Sequence, residues 1–306
     1  MKRYLIFLIT LVTLNCQAQE NYLQERNIDV YGFNIHYVEI GSGPPLILLH
    51  GLWGGTNEWI PIIKPLAKKY RVIAMDFLGF HGSDKPEAKY HNALLAQFLH
   101  GFINNMQLER VTLIGHAMGA NAATYTAFHH PKNIEKLVLI DGAGYRNPSR
   151  DLSKPPSAMM VSFRRVVTGS NIVETKNFLK RRVLNKSLIT QKWAEEAFYM
   201  WLNSARAIGD MLQEGGDLSE QEMREIKIPT LILWGSDDQV FPIKNAEKLS
   251  NDLSNSTVKI INNSGHLPQI EQTKVLLDAL IPFLTSHDSK TNKTNIFPLS
   301  KFIFSA

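Results

Sequence analysis

The sequence predicts an α/β fold with a mostly parallel sheet and helices on both faces. Short apolar runs at residues 46–49, 111–114 and 230–234 have the composition of buried strands. Segments with apolar residues at helical spacing, such as residues 90–106, lie between such runs. This alternation, interrupted only at residues 145–226, is typical of repeated strand–helix–strand units.

Composition and charge favour one globular domain without a nucleic-acid partner. The chain has 306 residues, of which 44% are apolar and 20% are charged, so it can bury a sizeable core. Its formal charge of +5 is small, and its lysines and arginines are scattered along the chain. We therefore predict no nucleic-acid binding. The single cysteine, Cys16, leaves the folded domain without a disulfide.

The first residues predict export. Lys2 and Arg3 precede an apolar run at residues 4–14, which is too short to span a bilayer. This pattern is typical of a signal peptide over residues 1–18, so we expect a periplasmic or secreted protein without a transmembrane segment. The alternative is a membrane-anchored lipoprotein with its lipid on Cys16, which Asn15 disfavours because that position usually holds a small residue.

One motif organises the rest of the chain. Residues 115–119 read Gly-His-Ala-Met-Gly and lie between a predicted strand and a predicted helix at residues 120–128. Two glycines four positions apart allow two backbone segments to approach closely, so the middle residue is held out at a sharp turn. That residue is Ala117, whose methyl group cannot attack a carbonyl carbon.

The motif resembles the nucleophile elbow of the α/β-hydrolases, whose pattern is G-x-S-x-G, and the resemblance extends over residues 30–286. It implies an eight-stranded, mostly parallel sheet with an inserted helical cap. The implied organisation is a first core segment at 19–144, a cap at 145–226, a second core segment at 227–286 and a poorly ordered tail at 287–306.

The resemblance also implies roles for particular residues. Asp238 matches the catalytic acid in the pattern W-G-x-x-D-x-x-x-P, and His266 matches the catalytic histidine in a Gly-His turn. The backbone N–H groups of Leu52 and Met118 match an oxyanion hole. Asp141, at the end of another strand, is the alternative acid. The predicted substrate pocket comprises Trp53, His116, Phe163, Trp193 and Trp201.

The remaining polar candidates favour structural roles. Ser83 lies in a turn that supports the site from outside, and His129 and His130 close a helix; we predict no metal and no cofactor. Several arginines of the predicted cap could contact an anionic substrate, although a solvated helix face is the preferred interpretation. They are Arg164, Arg165, Arg181, Arg182 and Arg206.

Three functions remain compatible with the sequence. The first is a hydrolase of small apolar ester-like or C–C bond substrates by descent, inactive or very weak because Ala117 replaces the nucleophile. The second is an enzyme that uses only the Asp238–His266 dyad, of the lyase or cofactor-free oxygenase type. The third is a non-catalytic protein that binds a small ligand. All three have a small molecule as the partner.

Overall fold

The computed structural model describes residues 22–52, 54–142, 144–145, 171–204, 208 and 218–286. The predictions for the signal peptide, Cys16, Trp53, Phe163 and the tail concern residues outside these ranges. In the part of the chain that the structure describes, no helix is both long and apolar enough to cross a membrane.

The described strands form one eight-stranded sheet in the order β1-β2-β4-β3-β5-β6-β7-β8. The first two strands are antiparallel to their neighbours, and β3 to β8 are parallel. The strands are β1 (Gln24–Val30), β2 (Phe33–Ile40), β3 (Pro45–Leu49), β4 (Arg71–Met75), β5 (Val111–His116), β6 (Ile134–Ile140), β7 (Thr230–Gly235) and β8 (Ser256–Ile261). This arrangement confirms the predicted fold class.

Helices connect the parallel strands and cover both faces of the sheet. In the described residues they are α1 (Ile60–Ala67), α2 (Asn92–Asn105), α3 (Met118–His129), α4 (Ile172–Arg182), α5 (Gln191–Leu202), α6 (Glu220–Glu225), α7 (Lys244–Asp252), α8 (Pro268–Glu271) and α9 (Thr273–Thr285). Short 3₁₀ turns occur at Thr56–Trp59, Pro131–Asn133 and Lys186–Leu188. We call α4 and α5, which lie between β6 and β7, the inserted helices.

Side chains that alternate along β3 divide the core into two layers. Leu46 and Leu48 belong to the apolar cluster that includes α1 and α9. Ile47 and Leu49 belong to the cluster that includes α2, α3 and α7. Because successive residues of a strand point to opposite faces, a continuous apolar run indicates a strand that is buried on both sides.

A 3₁₀ turn precedes the first helix. Residues Thr56–Trp59 form a 3₁₀ turn, and α1 begins at Ile60 with Pro61 in its first turn. Proline is favoured there because the first N–H groups of a helix have no partner within the helix. The N–H of Thr56 donates to Asp76 Oδ1 at 2.8 Å, and neither the 3₁₀ turn nor α1 has a side-chain N-cap.

Two glycines bring α3 unusually close to the sheet. A Cβ atom on Gly119 would lie 2.1 Å from the carbonyl oxygen of Leu49. A Cβ atom on Gly115 would lie 2.5 Å from the carbonyl oxygen of Gly119. Neither backbone oxygen can move without shifting a strand or a helix. The motif glycines are therefore required by the close packing of β5 and α3 against β3.

We expect Gly119→Ala to lower the free energy of unfolding by about 3 kcal/mol, because overpacking against a backbone carbonyl cannot be relieved by rotating a side chain. Urea unfolding followed by circular dichroism measures this loss. Gly101→Ala is the matched control within α2, since its Cβ would contact the side chains of Val30 and Tyr31 rather than backbone. An equal loss in both variants would contradict the packing argument.

Candidate active site

Ala117 occupies the apex of the turn between β5 and α3. Its backbone has φ 48° and ψ −110°, a conformation that is strained for a residue with a Cβ atom. The turn is held because the Ala117 N–H donates to the carbonyl oxygen of Ile140 at 3.0 Å. On the other side, a Cβ atom on Gly142 would lie 2.5 Å from the Cα atom of Ala117. The backbone at the nucleophile position of the motif therefore keeps its strained turn with alanine as the residue there.

The structure brings the predicted dyad together. His266 Nδ1 lies 2.8 Å from Asp238 Oδ2. The second oxygen of Asp238 accepts the N–H groups of Val240 at 2.7 Å and Phe241 at 3.1 Å, which fixes the carboxylate. Burial lowers the pKa of His266 to about 4, although the hydrogen bond with Asp238 opposes this shift. His266 is therefore neutral near pH 7 and able to accept a proton.

Asp141 lies beside this dyad without replacing Asp238. Its Oδ1 atom accepts the N–H of Gly235 at 2.7 Å, and its Oδ2 atom has no hydrogen-bond partner among the described residues. Burial, and then the nearby carboxylate of Asp238, raise the pKa of Asp141 well above its usual value. One ligand-type atom from each of Asp141, Asp238 and His266 lies within 4.8 Å of the others. Within this trio, Asp238 supplies the carboxylate oxygen at hydrogen-bond distance from His266 Nδ1.

The two backbone donors predicted for the oxyanion hole belong to Leu52 and Met118. Met118 is the first residue of α3, so its N–H has no acceptor within the helix. Leu52 follows the β3 strand in the loop that starts with His50 and Gly51. Among the residues that the structure describes, no hydrogen bond is formed by either N–H group. Such donors can hold a developing oxyanion without any particular side chain.

His116 links three loops of the site through an ion pair. Its Nδ1 atom lies 2.6 Å from Glu58 Oε1, with the oxygen off the N–H direction, and its Nε2 atom lies 2.8 Å from the carbonyl oxygen of His266. Both neighbours of the ring are oxygen atoms that accept hydrogen bonds. Burial alone would raise the pKa of Glu58, but His116 and then Arg182 lower it to about 2.

Ser83 is committed to the support of the site and is not a displaced nucleophile. Its Oγ atom donates to the carbonyl oxygen of Asp76 at 2.6 Å and accepts the N–H of His36 at 2.9 Å. The Asp76 carboxylate in turn accepts the N–H of Thr56, the first residue of the 3₁₀ turn Thr56–Trp59. The turn that contains Ser83 therefore supports the segment that carries Glu58.

A cavity of about 60 Å³ lies between the inserted helices and the core. Trp193 and Trp201, both predicted for the pocket, line it, together with Glu58 and Arg182. His116 does not line this cavity, because its ring is fully buried between Glu58 and the His266 loop. Trp53 and Phe163 are outside the described residues.

Sequence reasoning missed the roles of Glu58 and Arg182. Glu58 matches no motif in the sequence, yet it is the carboxylate partner of His116. Arg182 was assigned to a solvated helix face, but it is 6% exposed, whereas its neighbour Arg181 is exposed. Consecutive residues of a helix point about 100° apart, so one arginine of the pair faces inward. The sequence alone does not indicate which of the two does so.

Together, a sharp strand–turn–helix, a His–Asp pair and backbone donors at the carboxyl edge of a parallel sheet define a hydrolase-type site. The chain belongs to the α/β hydrolase fold family, which matches residues 44–273. The resemblance stated from the elbow motif is confirmed.

Its relatives include C–C bond hydrolases and a phospholipase. The chain is 28% identical over 280 residues to 2-hydroxy-6-oxo-6-(2'-aminophenyl)hexa-2,4-dienoic acid hydrolase of Metapseudomonas resinovorans, covering 88% of this chain and 93% of that protein. A membrane phospholipase A described as a bacterial virulence factor has a similar structure, with 26% identity, a TM-score of 0.75 and coverage of 93% and 98%. A serine-to-alanine mutant of a meta-cleavage product hydrolase from Pseudomonas fluorescens, complexed with acetates, gives 25% identity, a TM-score of 0.74 and coverage of 85% and 97%.

We expect Glu58→Gln to lower the free energy of unfolding by about 3 kcal/mol near pH 7, because it removes the ionised carboxylate that the folded protein stabilises beside His116 and Arg182. Urea unfolding at several pH values measures this difference. The pKa of Glu58 in the folded protein, about 2, is below its usual value of 4.5. The stabilisation is therefore fully present above about pH 4.5 and is lost as the pH falls through 2.

Glu247→Gln is the matched control, since Glu247 is exposed on α7. It should leave the free energy of unfolding unchanged within a few tenths of a kcal/mol. If Glu58→Gln behaves like this control at pH 7, the ion pair with His116 does not stabilise the fold.

Proposed function

We propose that this chain is a small-molecule hydrolase by descent, acting on ester-like or C–C bond substrates, whose covalent chemistry is silenced at Ala117. The observation that carries the proposal is the retention of the strained elbow, with φ 48° at Ala117, beside an assembled His–Asp pair. As it stands, the chain is inactive or very weak as an acyl hydrolase. The names of its relatives support the class of reaction.

The absence of a hydroxyl oxygen at residue 117 determines the proposed chemistry. In a serine hydrolase, a hydroxyl oxygen attacks the acyl carbon, a histidine takes its proton, and an aspartate orients the imidazolium. His266 and Asp238 are the proposed histidine and aspartate, and the N–H groups of Leu52 and Met118 are the proposed oxyanion donors. Ala117 supplies no oxygen, so no covalent acyl-enzyme forms at this position.

The helical segment between β6 and β7 is proposed as the cap of this site, since α4 and α5 border the cavity through Leu179, Arg182 and Trp193. We also propose that the protein is exported, on the basis of the charged and apolar pattern of residues 1–18. A lipid anchor on Cys16 is the alternative form of the same proposal.

We expect Ala117→Ser to raise the turnover of p-nitrophenyl acetate and butyrate by at least about a thousandfold, because removal of the nucleophile from such a triad costs on the order of a millionfold. The rate should rise with pH through about 4 and then level off, since His266 must be neutral to accept the serine proton. Spectrophotometric assays and labelling by a fluorophosphonate probe check both expectations.

The unmodified chain and Ala117→Ser combined with His266→Ala are the controls for this experiment. Both should remain near the background rate and unlabelled. A folded Ala117→Ser variant that stays silent towards both esters and the probe would rule out the silenced hydrolase.

A second candidate function is chemistry by the dyad without a covalent step. It is favoured by the buried, neutral His266, which can take a proton from water or from an acidic substrate. If the unmodified chain hydrolyses or cleaves a substrate, His266→Ala should reduce the rate by about a hundredfold or more, whereas a fluorophosphonate should have no effect. A rate that is unchanged by His266→Ala excludes this function. Ligand binding without turnover would then support a non-catalytic binding protein.

A further inference from the structure

The dyad has a neighbouring carboxylate that the proposed chemistry does not use. Asp141 directly follows β6, Asp238 follows β7 and His266 follows β8, and these parallel strands are neighbours in the sheet. Their carboxyl ends therefore carry two carboxylates and an imidazole to the same edge. One ligand-type atom from each residue lies within 4.8 Å of the other two. The sequence predicts no metal, because residues on three separate loops show no ligand spacing.

Each of the two carboxylates uses one oxygen to fix its own position. Asp141 Oδ1 accepts the N–H of Gly235 at 2.7 Å, and Asp238 Oδ1 accepts the two N–H groups that follow it in its loop. Asp238 Oδ2 lies 2.8 Å from His266 Nδ1. Asp141 is 0% exposed, and its Oδ2 atom has no hydrogen-bond partner among the described residues. A buried carboxylate oxygen without a partner is costly, and a cation held by this trio supplies one.

We propose that Asp141, Asp238 and His266 form a binding site for a divalent transition-metal cation such as Zn²⁺. Carboxylate oxygens and an imidazole nitrogen are ligands that Zn²⁺ prefers, and a water molecule completes four-coordination. Ligand atoms about 2.1 Å from a tetrahedral zinc ion lie roughly 3.4 Å from each other. A trio that is already within 4.8 Å reaches this spacing through small side-chain movements. The backbone N–H groups on the two carboxylates orient them as metal ligands.

A divalent cation also balances the charge of the two carboxylates. Burial, and then the nearby carboxylate of Asp238, raise the pKa of Asp141. Metal binding replaces the proton of Asp141 with an ion that Asp238 shares. The repulsion between two neighbouring buried carboxylates is thereby removed.

Occupation of this site switches the proposed dyad off. In the dyad, His266 Nδ1 donates to Asp238 and its Nε2 atom accepts a proton. A metal ion bound through Nδ1 takes the lone pair of that nitrogen and leaves the proton of the neutral ring on Nε2. The ring then has no nitrogen that can accept a proton from serine or from water. This consequence rests on the proposed function, whereas the metal site itself does not.

The first test is zinc binding to the folded chain, which needs no turnover. The His130 ring stacks on His100 at 3.6 Å and lies beside His129, so these histidines are a competing zinc-binding surface. All titrations therefore use a His130→Gln background. Calorimetric titration with Zn²⁺ measures the affinity and the stoichiometry, and the visible spectrum of Co²⁺ reports the coordination of the ion. We expect one zinc ion per chain and the intense cobalt absorption of a four-coordinate site.

Asp141→Asn should weaken zinc binding at least about tenfold, because the amide keeps the oxygen bonded to Gly235 but replaces the second oxygen with a nitrogen that is not a ligand. His266→Ala should weaken it by at least as much. Asp237→Asn is the matched control and should keep the affinity, since Asp237 is exposed beside Asp238.

The absence of zinc binding, or equal affinity in the folded Asp141→Asn and Asp237→Asn chains, would overturn the site. If Asp141→Asn does not fold, an affinity unchanged by His266→Ala overturns it instead.

The two proposals fail in different ways. In Ala117→Ser, Zn²⁺ should inhibit the hydrolysis of p-nitrophenyl butyrate at concentrations that match its affinity, and EDTA should reverse this effect. If Ala117→Ser is silent but zinc binding depends on Asp141, the hydrolase proposal is rejected and the metal site stands. If Ala117→Ser is active and zinc does not bind, the metal site is rejected and the hydrolase stands. Zinc that binds through Asp141 without inhibiting an active Ala117→Ser variant rejects the switch.

Discussion

The arrangement of the site depends on one buried ion pair. Glu58 belongs to the 3₁₀ turn Thr56–Trp59, His116 is the last residue of β5 and precedes the elbow apex, and His266 lies on the loop after β8. The contact of 2.6 Å between Glu58 and His116, and that of 2.8 Å between His116 and the His266 carbonyl, connect these three segments. Each comes from a different part of the chain, so the site exists only when the sheet has assembled.

The elbow itself is kept in place by backbone contacts that do not depend on the side chain of residue 117. Gly119 lies against the carbonyl oxygen of Leu49, and the Ala117 N–H is accepted by Ile140. Because the strain at the apex is held by backbone contacts, alanine adopts the same turn that the family pattern assigns to serine. The absence of a hydroxyl at residue 117 therefore removes the nucleophile and leaves the scaffold intact. For this reason a silenced hydrolase, an enzyme that uses only the His–Asp dyad and a binding protein are all consistent with one fold.

Burial and neighbouring charges shift the pKa values of the site's ionisable groups in different directions. Burial keeps His266 neutral, whereas Glu58 stays ionised because His116 outweighs the effect of its burial. Burial, and then the nearby carboxylate of Asp238, raise the pKa of Asp141. Arg182 contributes a positive charge on the cavity wall. These differences arise from distances of a few ångströms between residues far apart in the sequence.

Much of the fold and part of the candidate site could be predicted from local patterns. The buried strands, the elbow, and the motifs that contain Asp238 and His266 each follow from a short stretch of residues. The 3₁₀ turn at Thr56–Trp59 could not be predicted in this way, because the N–H of Thr56 donates to Asp76, which follows β4 twenty residues later. The place of His116 depends on Glu58, and the inward side of the Arg181–Arg182 pair depends on how α4 packs against the core. The sequence by itself determined the fold class and the absence of a hydroxyl at residue 117, because each is written in adjacent residues. Only the tertiary structure decided which charges are buried, and beside what, because burial is a property of the assembled chain.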